Sequence, residues 1–320
     1  MLDPKLLREN PEKVKKSLKD RGLDTALIDD FLKADEVWRK ATHEIESLKA
    51  QRNAKSDEIG KLKAAKKDAS TLMAEMKKLS DQITEKEEKL KDTEQELNKT
   101  MLYIPNISHE SVPIGKDSSH NKEMKRWGII KDLGFKPKSH DELGEKLGIL
   151  SFTQGAKIGG TRFTVYRGLG AQLEWALVNF MREVQTKENG YIEVIPPFLT
   201  TADCAIGTGQ LPKFEEDLYK TNDNLYLVPT AEVPVTNIHR DEILPIEKLP
   251  IKYVAYTPCF RREAGSYGKD VKGLIRQHQF NKVEIVKFTT PEKSYEELES
   301  LTADAEKILQ KLKLSYRVVT

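Results

Sequence analysis

The chain has 320 residues, 53 Lys and Arg against 51 Asp and Glu, a net charge of +2 and a charged fraction of 32%. That length holds two domains and a well-buried core, while so high a charged fraction argues against one compact globule. The near-balance of charge excludes a uniformly basic nucleic-acid binder, so any RNA surface must come from local clustering. Cys204 and Cys259 lie far apart without ligand-like spacing, which argues against a disulfide framework and against a structural zinc. No apolar run approaches transmembrane length, and Met1-Leu2-Asp3-Pro4-Lys5 lacks a secretory stretch, so a cytoplasmic protein with no membrane partner is expected.

Residues 4–22 read as a short amphipathic helical segment, broken at Asn10-Pro11 and ending near Gly22, with Leu6, Leu7, Val14 and Leu18 available for packing. From Ala34, the positions Ala34, Trp38, Ala41, Ile45, Leu48, Arg52, Lys55, Ile59 and Leu62 alternate four and three apart. Leu72, Met76, Leu79, Ile83, Lys86, Leu90, Thr93 and Leu97 do the same, so two helices share a heptad seam. The break around Ala64–Ser70 makes them an antiparallel hairpin, an arm (about 33–98) on the order of 45 Å long. Arg52, Lys55 and Lys86 on the seam are expected to weaken the coil and leave it some flexibility. Between Lys49 and Lys78 there are nine Lys or Arg against four Asp or Glu, whereas Asp81–Glu96 has seven acids against three bases. The distal arm is therefore basic. Such a run fits either a solvated coiled coil or a phosphate-binding surface.

Pro105 and Pro113, with Gly115 and Ser118-Ser119, mark a linker. A short helix is expected at Asp141–Leu147 and a strand at Thr161–Tyr166, and Leu173, Leu177, Phe180 and Val184 line one face of a helix running into Gly190. Val254, Tyr256 and Phe260 alternate in a strand-like run, and Phe280, Val283 and Ile285–Phe288 make a second. The connection between them, Ala264–Ile275, carries Gly265, Gly268, Gly273, Lys269 and Lys272, which suits a mobile segment closing over a polyanion. At its base the residue types can bind a nucleotide. Arg261 offers forked donors to phosphate, Phe280 a face for a purine, and the carboxylates a hold on a metal ion or an amine. Alternatively, the charges line the wet face of a hairpin and Phe280 is core.

The spacing of Phe260-Arg261-Arg262-Glu263, the loop, and Arg276-Gln277-His278-Gln279-Phe280-Asn281-Lys282-Val283-Glu284 resembles the second signature motif of class II aminoacyl-tRNA synthetases. Glu188-Asn189-Gly190-Tyr191-Ile192-Glu193-Val194-Ile195-Pro196-Pro197-Phe198-Leu199 resembles the first motif, with Pro197 as its fixed proline. Gly207-Thr208-Gly209-Gln210-Leu211-Pro212-Lys213-Phe214 and Pro229-Thr230-Ala231-Glu232 are similar to the corresponding stretches of seryl-tRNA synthetases, and the likeness runs in order along essentially the whole chain.

The resemblance implies an α+β fold in three parts. Residues 1–104 form a tRNA-binding domain with an antiparallel two-helix coiled-coil arm, and 105–155 a linker and connecting segment. Residues 156–320 form a class II antiparallel β-sheet catalytic domain flanked by helices. It implies a serine–tRNA ligase that activates L-serine with ATP and Mg2+ and transfers it to tRNA(Ser). Arg261, Arg262, Glu263, Arg276 and Phe280 would bind ATP, with Arg261 and Glu263 catalytic and Glu263 near the metal. Thr230, Ala231, Glu232 and Glu284 would bind serine, and Lys61, Lys63, Lys66 and Lys67 the tRNA. The helix before the first motif would form a homodimer interface. Two departures stand out: Arg262 occupies a position where Ser is common, and Trp175 one where an arginine is common.

After Glu284 a helix is expected near Pro291, with the stripe Leu298, Leu301, Ala305, Ile308 and Leu312. Ser315–Thr320 reads as an unterminated strand that leaves an unpaired edge. No glycine follows Gly273, so the third class II motif, a Gly-rich strand, is missing. A C-terminally incomplete catalytic domain is the expectation, inactive by itself. The competing function is a non-catalytic, synthetase-like dimer that binds RNA or a protein.

Overall fold

The computed structural model describes residues 2–264 and 272–320. They divide into two compact units, Met1–Lys122 with Thr320, and Glu123–Val319.

In the first unit, α1 (Pro4–Glu9) and α2 (Pro11–Asp20) each open on a proline, whose fixed φ suits a first turn where no N–H is needed. The long helices are α3 (Ala26–Ala64) and α4 (Ser70–Tyr103). Ion pairs cross between them at Glu44–Lys86 (2.9 Å), Lys49–Glu87 (2.7 Å) and Lys55–Glu75, so the partners fall back from Lys86 and Glu87 to Glu75 as α3 advances, as an antiparallel pair requires. Lys55 and Lys86, expected to loosen the seam, therefore bridge it, beside buried Ile45, Ile59 and Ile83. Helix α3 also starts eight residues before the heptad pattern suggests. Its first turns bury Ile28 and Phe31 in a globular base with Leu7, Val14, Leu18, Leu97 and Met101, so they follow a core rather than a coil. Asp35, buried in that base, is bonded by Arg8 (3.0 Å) and Arg39 (2.7 Å), which compensates its burial.

At the far end of the arm, the N–H groups of Lys66 and Lys67 donate to the carbonyls of Lys63 and Leu62, and Lys66 takes a left-handed φ of 54°. This is the usual way to close a helix end, here with a lysine in place of the common glycine. Asp68 accepts from the N–H of Ser70 (3.0 Å) at the start of α4. The turn leaves Lys61, Lys63, Lys66 and Lys67 all exposed.

In the second unit, β1 (Glu123–Trp127) pairs antiparallel with β9 (Tyr316–Val319), so the strand expected to lack a partner has one along one edge. Between them come α5 (His140–Lys146), β2 (Leu150–Ser151), α6 (Phe152–Gly159) and β3 (Val165–Tyr166), with β2 antiparallel to β3. The strand expected over Thr161–Tyr166 shrinks to its last two residues because Arg162 adopts a left-handed φ of 66°. Then follow α7 (Leu169–Lys187), β4 (Ile192–Glu193), β5 (Leu199–Thr200), α8 (Ala202–Gly207), β6 (Tyr226–Leu227), α9 (Glu232–Thr236), β7 (Ile251–Phe260), β8 (Gln279–Phe288) and α10 (Ser294–Lys311). The central sheet runs β4-β7-β8, with β4 parallel and β8 antiparallel to β7.

Helix α10 is fixed to this sheet by charge. Lys287 of β8, 3% exposed, pairs with Glu297 (3.1 Å) and Asp304 (3.4 Å), and Asp304 also accepts from the Tyr191 hydroxyl (2.7 Å). Burial and then the Asp304 carboxylate push the Tyr191 phenol well above its ordinary pKa. No helix among the described residues is long and apolar enough to cross a membrane.

Candidate active site

The β7–β8 hairpin sets the site's geometry. Its register places Ala255 opposite Glu284, Thr257 opposite Lys282 and Cys259 opposite Phe280. Side chains two apart in a strand share a face, so Phe280, Lys282 and Glu284 form a row. Ala231 and Val235, one helical turn apart, are fully buried against Ala255, and this packing brings the preceding Thr230 over Glu284. The Thr230 hydroxyl donates to Glu284 Oε2 (2.8 Å), and Lys282 Nζ donates to Thr230 Oγ1 (3.2 Å) from 3.6 Å beside Glu284 Oε2.

Glu232 opens α9 with much of its surface exposed. Crowding of its carboxyl, then the charge of Glu284, raises its pKa above the ordinary carboxylate value, while Lys282 acts in the opposite sense. The charges of Glu232 and Glu284 thus repel each other. Ala231 contributes backbone alone.

At the end of β7, Arg261 Nε donates to the Pro229 carbonyl (3.2 Å) and the guanidinium lies 5.2 Å from the centroid of the Phe280 ring. Its backbone is tied to His278: the Arg261 N–H donates to the His278 carbonyl (2.9 Å), and His278 Nδ1 lies 2.9 Å from the Arg261 carbonyl. The terminal nitrogens of Arg261 make no hydrogen bond among the described residues, so a fixed guanidinium is left with donors to spend on a ligand. Arg262 is exposed, and its backbone N–H donates to the Asp217 carbonyl (2.9 Å). Glu263, at a left-handed φ of 51°, accepts from Arg276 Nη1 (2.9 Å). Among the described residues the buried Nε of Arg276 has no hydrogen-bond partner.

Arg261 thus lies beside Phe280, Glu263 pairs with Arg276, and Thr230 is bonded to Glu284, with Arg261 tied to Pro229 next to Thr230 and Phe280 in the row that ends at Glu284. The connection expected to close over a polyanion is described only in part, because Gly265, Gly268 and Lys269 lie outside the described residues. Of the remainder, the Leu274 N–H donates to His140 Nε2 of α5 (2.8 Å). Sequence reasoning missed Asp217, which accepts from the Ala264 N–H (2.8 Å) and pins the turn after Glu263. It also missed Lys282 as part of the site, although the alternation Phe280, Lys282, Glu284 in an expected strand was the available signal.

Comparison with known proteins follows the same division. Residues 1–108 match the seryl-tRNA synthetase N-terminal domain, and residues 213–320 match the tRNA synthetase class II core domain (G, H, P, S and T). A serine–tRNA ligase of Carboxydothermus hydrogenoformans is 55% identical over 320 residues, covering 100% of this chain and 75% of that protein. One of Caldicellulosiruptor bescii is 58% identical over 319 residues, covering 100% of this chain and 76% of that protein. Among solved structures, seryl-tRNA synthetase from Pyrococcus horikoshii complexed with ATP is similar with a TM-score of 0.90 at 38% identity, over 100% of this chain and 76% of that one. The cytoplasmic serine–tRNA ligase of Naegleria fowleri in complex with AMP gives a TM-score of 0.84 at 29% identity, over 100% of this chain and 77% of that one.

Proposed function

This chain belongs to the seryl-tRNA synthetase family, and from that premise we propose that the two halves of the site activate L-serine with ATP. The observation that carries this reading is the joining of a fixed guanidinium and an aromatic ring to a carboxylate pair and hydroxyl through Pro229. In the first step the serine carboxylate attacks the α-phosphorus of ATP and expels pyrophosphate. In the second, the terminal ribose hydroxyl of tRNA(Ser) takes the seryl group. Charge grows on the α-phosphate during attack, so a guanidinium already oriented by Pro229 and Phe280 stabilises the transition state more than the ground state.

In our reading Phe280 stacks on adenine, Arg276 and Glu263 hold the nucleotide, and the exposed Arg262 adds phosphate affinity. Thr230, Glu232 and Glu284 take the ammonium and hydroxyl of serine. A buried site built around a substrate hydroxyl rejects analogues that lack it by a large factor. Mg2+ supplies charge neutralisation on the phosphates. Among the described residues no group of three or more His, Cys, Asp or Glu side chains converges on a metal position. The donor set therefore fits an ion carried by the nucleotide, with Glu263 as its protein carboxylate.

The division 1–104 for tRNA binding, 105–155 for connection and 156–320 for catalysis is part of the same reading, as is a cytoplasmic location. Homodimer formation is supported by exposed apolar side chains along the first motif and the helix before it, among them Leu173, Trp175, Ile192 and Ile195. The non-catalytic alternative is not carried further, because relatives 50–58% identical over the full length of this chain are serine–tRNA ligases.

Serine-dependent ATP–pyrophosphate exchange tests the reading, run on this chain and on a version lengthened with the last quarter of a relative. Serine, and not alanine, should drive exchange in the lengthened form. Silence of both with serine would remove the assignment. For the arm, reversing Lys61, Lys63, Lys66 and Lys67 to Glu is expected to weaken tRNA binding by on the order of tenfold or more and to flatten its salt dependence, because each phosphate contact releases counterions. Adenylate formation in the lengthened form should not change. An unaltered tRNA affinity in a filter-binding titration would move the RNA contact elsewhere.

A further inference from the structure

Lys282 carries the same chemical group that serine brings to this pocket, a primary ammonium. Its Nζ lies 3.2 Å from Thr230 Oγ1 and 3.6 Å from Glu284 Oε2. Those are the partners that the reading above gives to the substrate ammonium. Glu232 is within electrostatic reach of both Glu284 and Lys282. Along the row, Lys282 Nζ is also 5.8 Å from the centroid of Phe280, so the long side chain spans from the acids toward the nucleotide side. Across the hairpin it faces Thr257, which is uncharged.

Two ammonium groups drawn to one hydroxyl and one carboxylate repel each other at contact range. Resting on the assignment of Thr230, Glu232 and Glu284 to serine, we propose that Lys282 is an internal competitor for the substrate ammonium and thereby a specificity-determining residue. A ligand that offers only an ammonium and a hydroxyl must displace Lys282 without compensation. Serine brings a carboxylate as well, and that negative charge offsets the repulsion and gives the lysine a new partner. The device selects α-amino acids over simple amino alcohols, using a charge that the protein already holds.

The test compares ethanolamine, which has the hydroxyl and the ammonium but no carboxylate, with serine, by calorimetry on the 320-residue chain and on Lys282→Met. Loss of the competing charge should tighten ethanolamine binding by on the order of tenfold, and serine binding by less. Lys282→Arg keeps the charge and should leave ethanolamine weak, which a merely structural role of the lysine would not require. Should Lys282→Met bind serine but ethanolamine no more tightly than the unaltered chain, the competitor role is wrong and the serine assignment survives. If neither protein binds serine, the assignment falls and the competitor role with it.

A second measurement does not depend on the variant folding. In 15N-lysine-labelled chain, serine should shift the Lys282 ζ resonance, and N-acetylethanolamine, which carries neither the ammonium nor the carboxylate, should not. A ζ resonance unmoved by saturating serine would overturn the proposal.

Discussion

Replacing Arg261 by alanine in the lengthened form should lower serine-dependent pyrophosphate exchange by on the order of a thousandfold, the size of effect seen when one preorganised cation is removed from a phosphoryl-type transition state. The expectation rests on how the side chain is held. Its Nε is committed to the Pro229 carbonyl at 3.2 Å and its guanidinium lies 5.2 Å from the centroid of the Phe280 ring. The guanidinium held in this way needs little reorganisation when charge develops on the α-phosphate. Ground-state ATP affinity, measured separately by nucleotide fluorescence, should fall by much less, because only an interaction that strengthens in the transition state raises the rate. Arg261→Lys should recover only part of the loss, since an ammonium supplies the charge without the planar fork or the stack. Exchange within tenfold of the unaltered protein in Arg261→Ala would assign the phosphate to another residue, with Arg276 the next candidate.

Glu284→Gln should raise the KM for serine by on the order of a hundredfold, the effect expected from loss of a partly buried, charge-assisted hydrogen bond, and leave the KM for ATP nearly unchanged. Glu284 accepts from Thr230 at 2.8 Å and attracts Lys282 from 3.6 Å, so the amide keeps the shape of the site and removes its charge. One consequence has a definite sign. The Glu284 charge raises the pKa of Glu232, so in Glu284→Gln the carboxyl of Glu232 ionises at lower pH. The acid limb of serine binding should move to lower pH with it, which a KM profile over pH 5–8 would reveal. An unchanged KM for serine would place the amino-acid pocket away from β8.

The two effects differ in kind, and that difference separates the halves of the site. Arg261 acts on the rate and Glu284 on serine affinity. Their separation requires that Pro229, which joins them, stays in place in both variants, so far-UV circular dichroism and the melting temperature serve as controls.

Much of this was legible in the sequence. Period-two alternation through Val254–Phe260 and Phe280–Phe288 pointed to the hairpin, although no residue of β7 is exposed and its buried positions include Ala255, Thr257 and Cys259 as well as Val254. Heptad spacing gave the arm because a two-helix coil needs an apolar residue every three to four positions. Glu263 pairs with Arg276, and the four tip lysines are exposed; the ATP and tRNA roles given to them remain proposals. What could not be read were contacts between residues distant in sequence. Asp217 reaches the Ala264 N–H, and His140 the Leu274 N–H, across 47 and 134 positions. No local pattern encodes either. The early start of α3 escaped for the same reason: Ile28 and Phe31 answer to Leu97 and Met101 rather than to their neighbours in the heptad.

By itself, the sequence determined which elements form and which residue types stand at the motif positions, because propensity, periodicity and capping act over a few residues. Only the tertiary structure decided that Thr230, Lys282 and Glu284 share one hydrogen-bonded cluster, since that depends on Ala231 and Val235 burying against Ala255 and on the hairpin register. Register and helix docking are set by long-range packing, and a one-residue slip in the β7–β8 register would turn Lys282 and Glu284 to the opposite face.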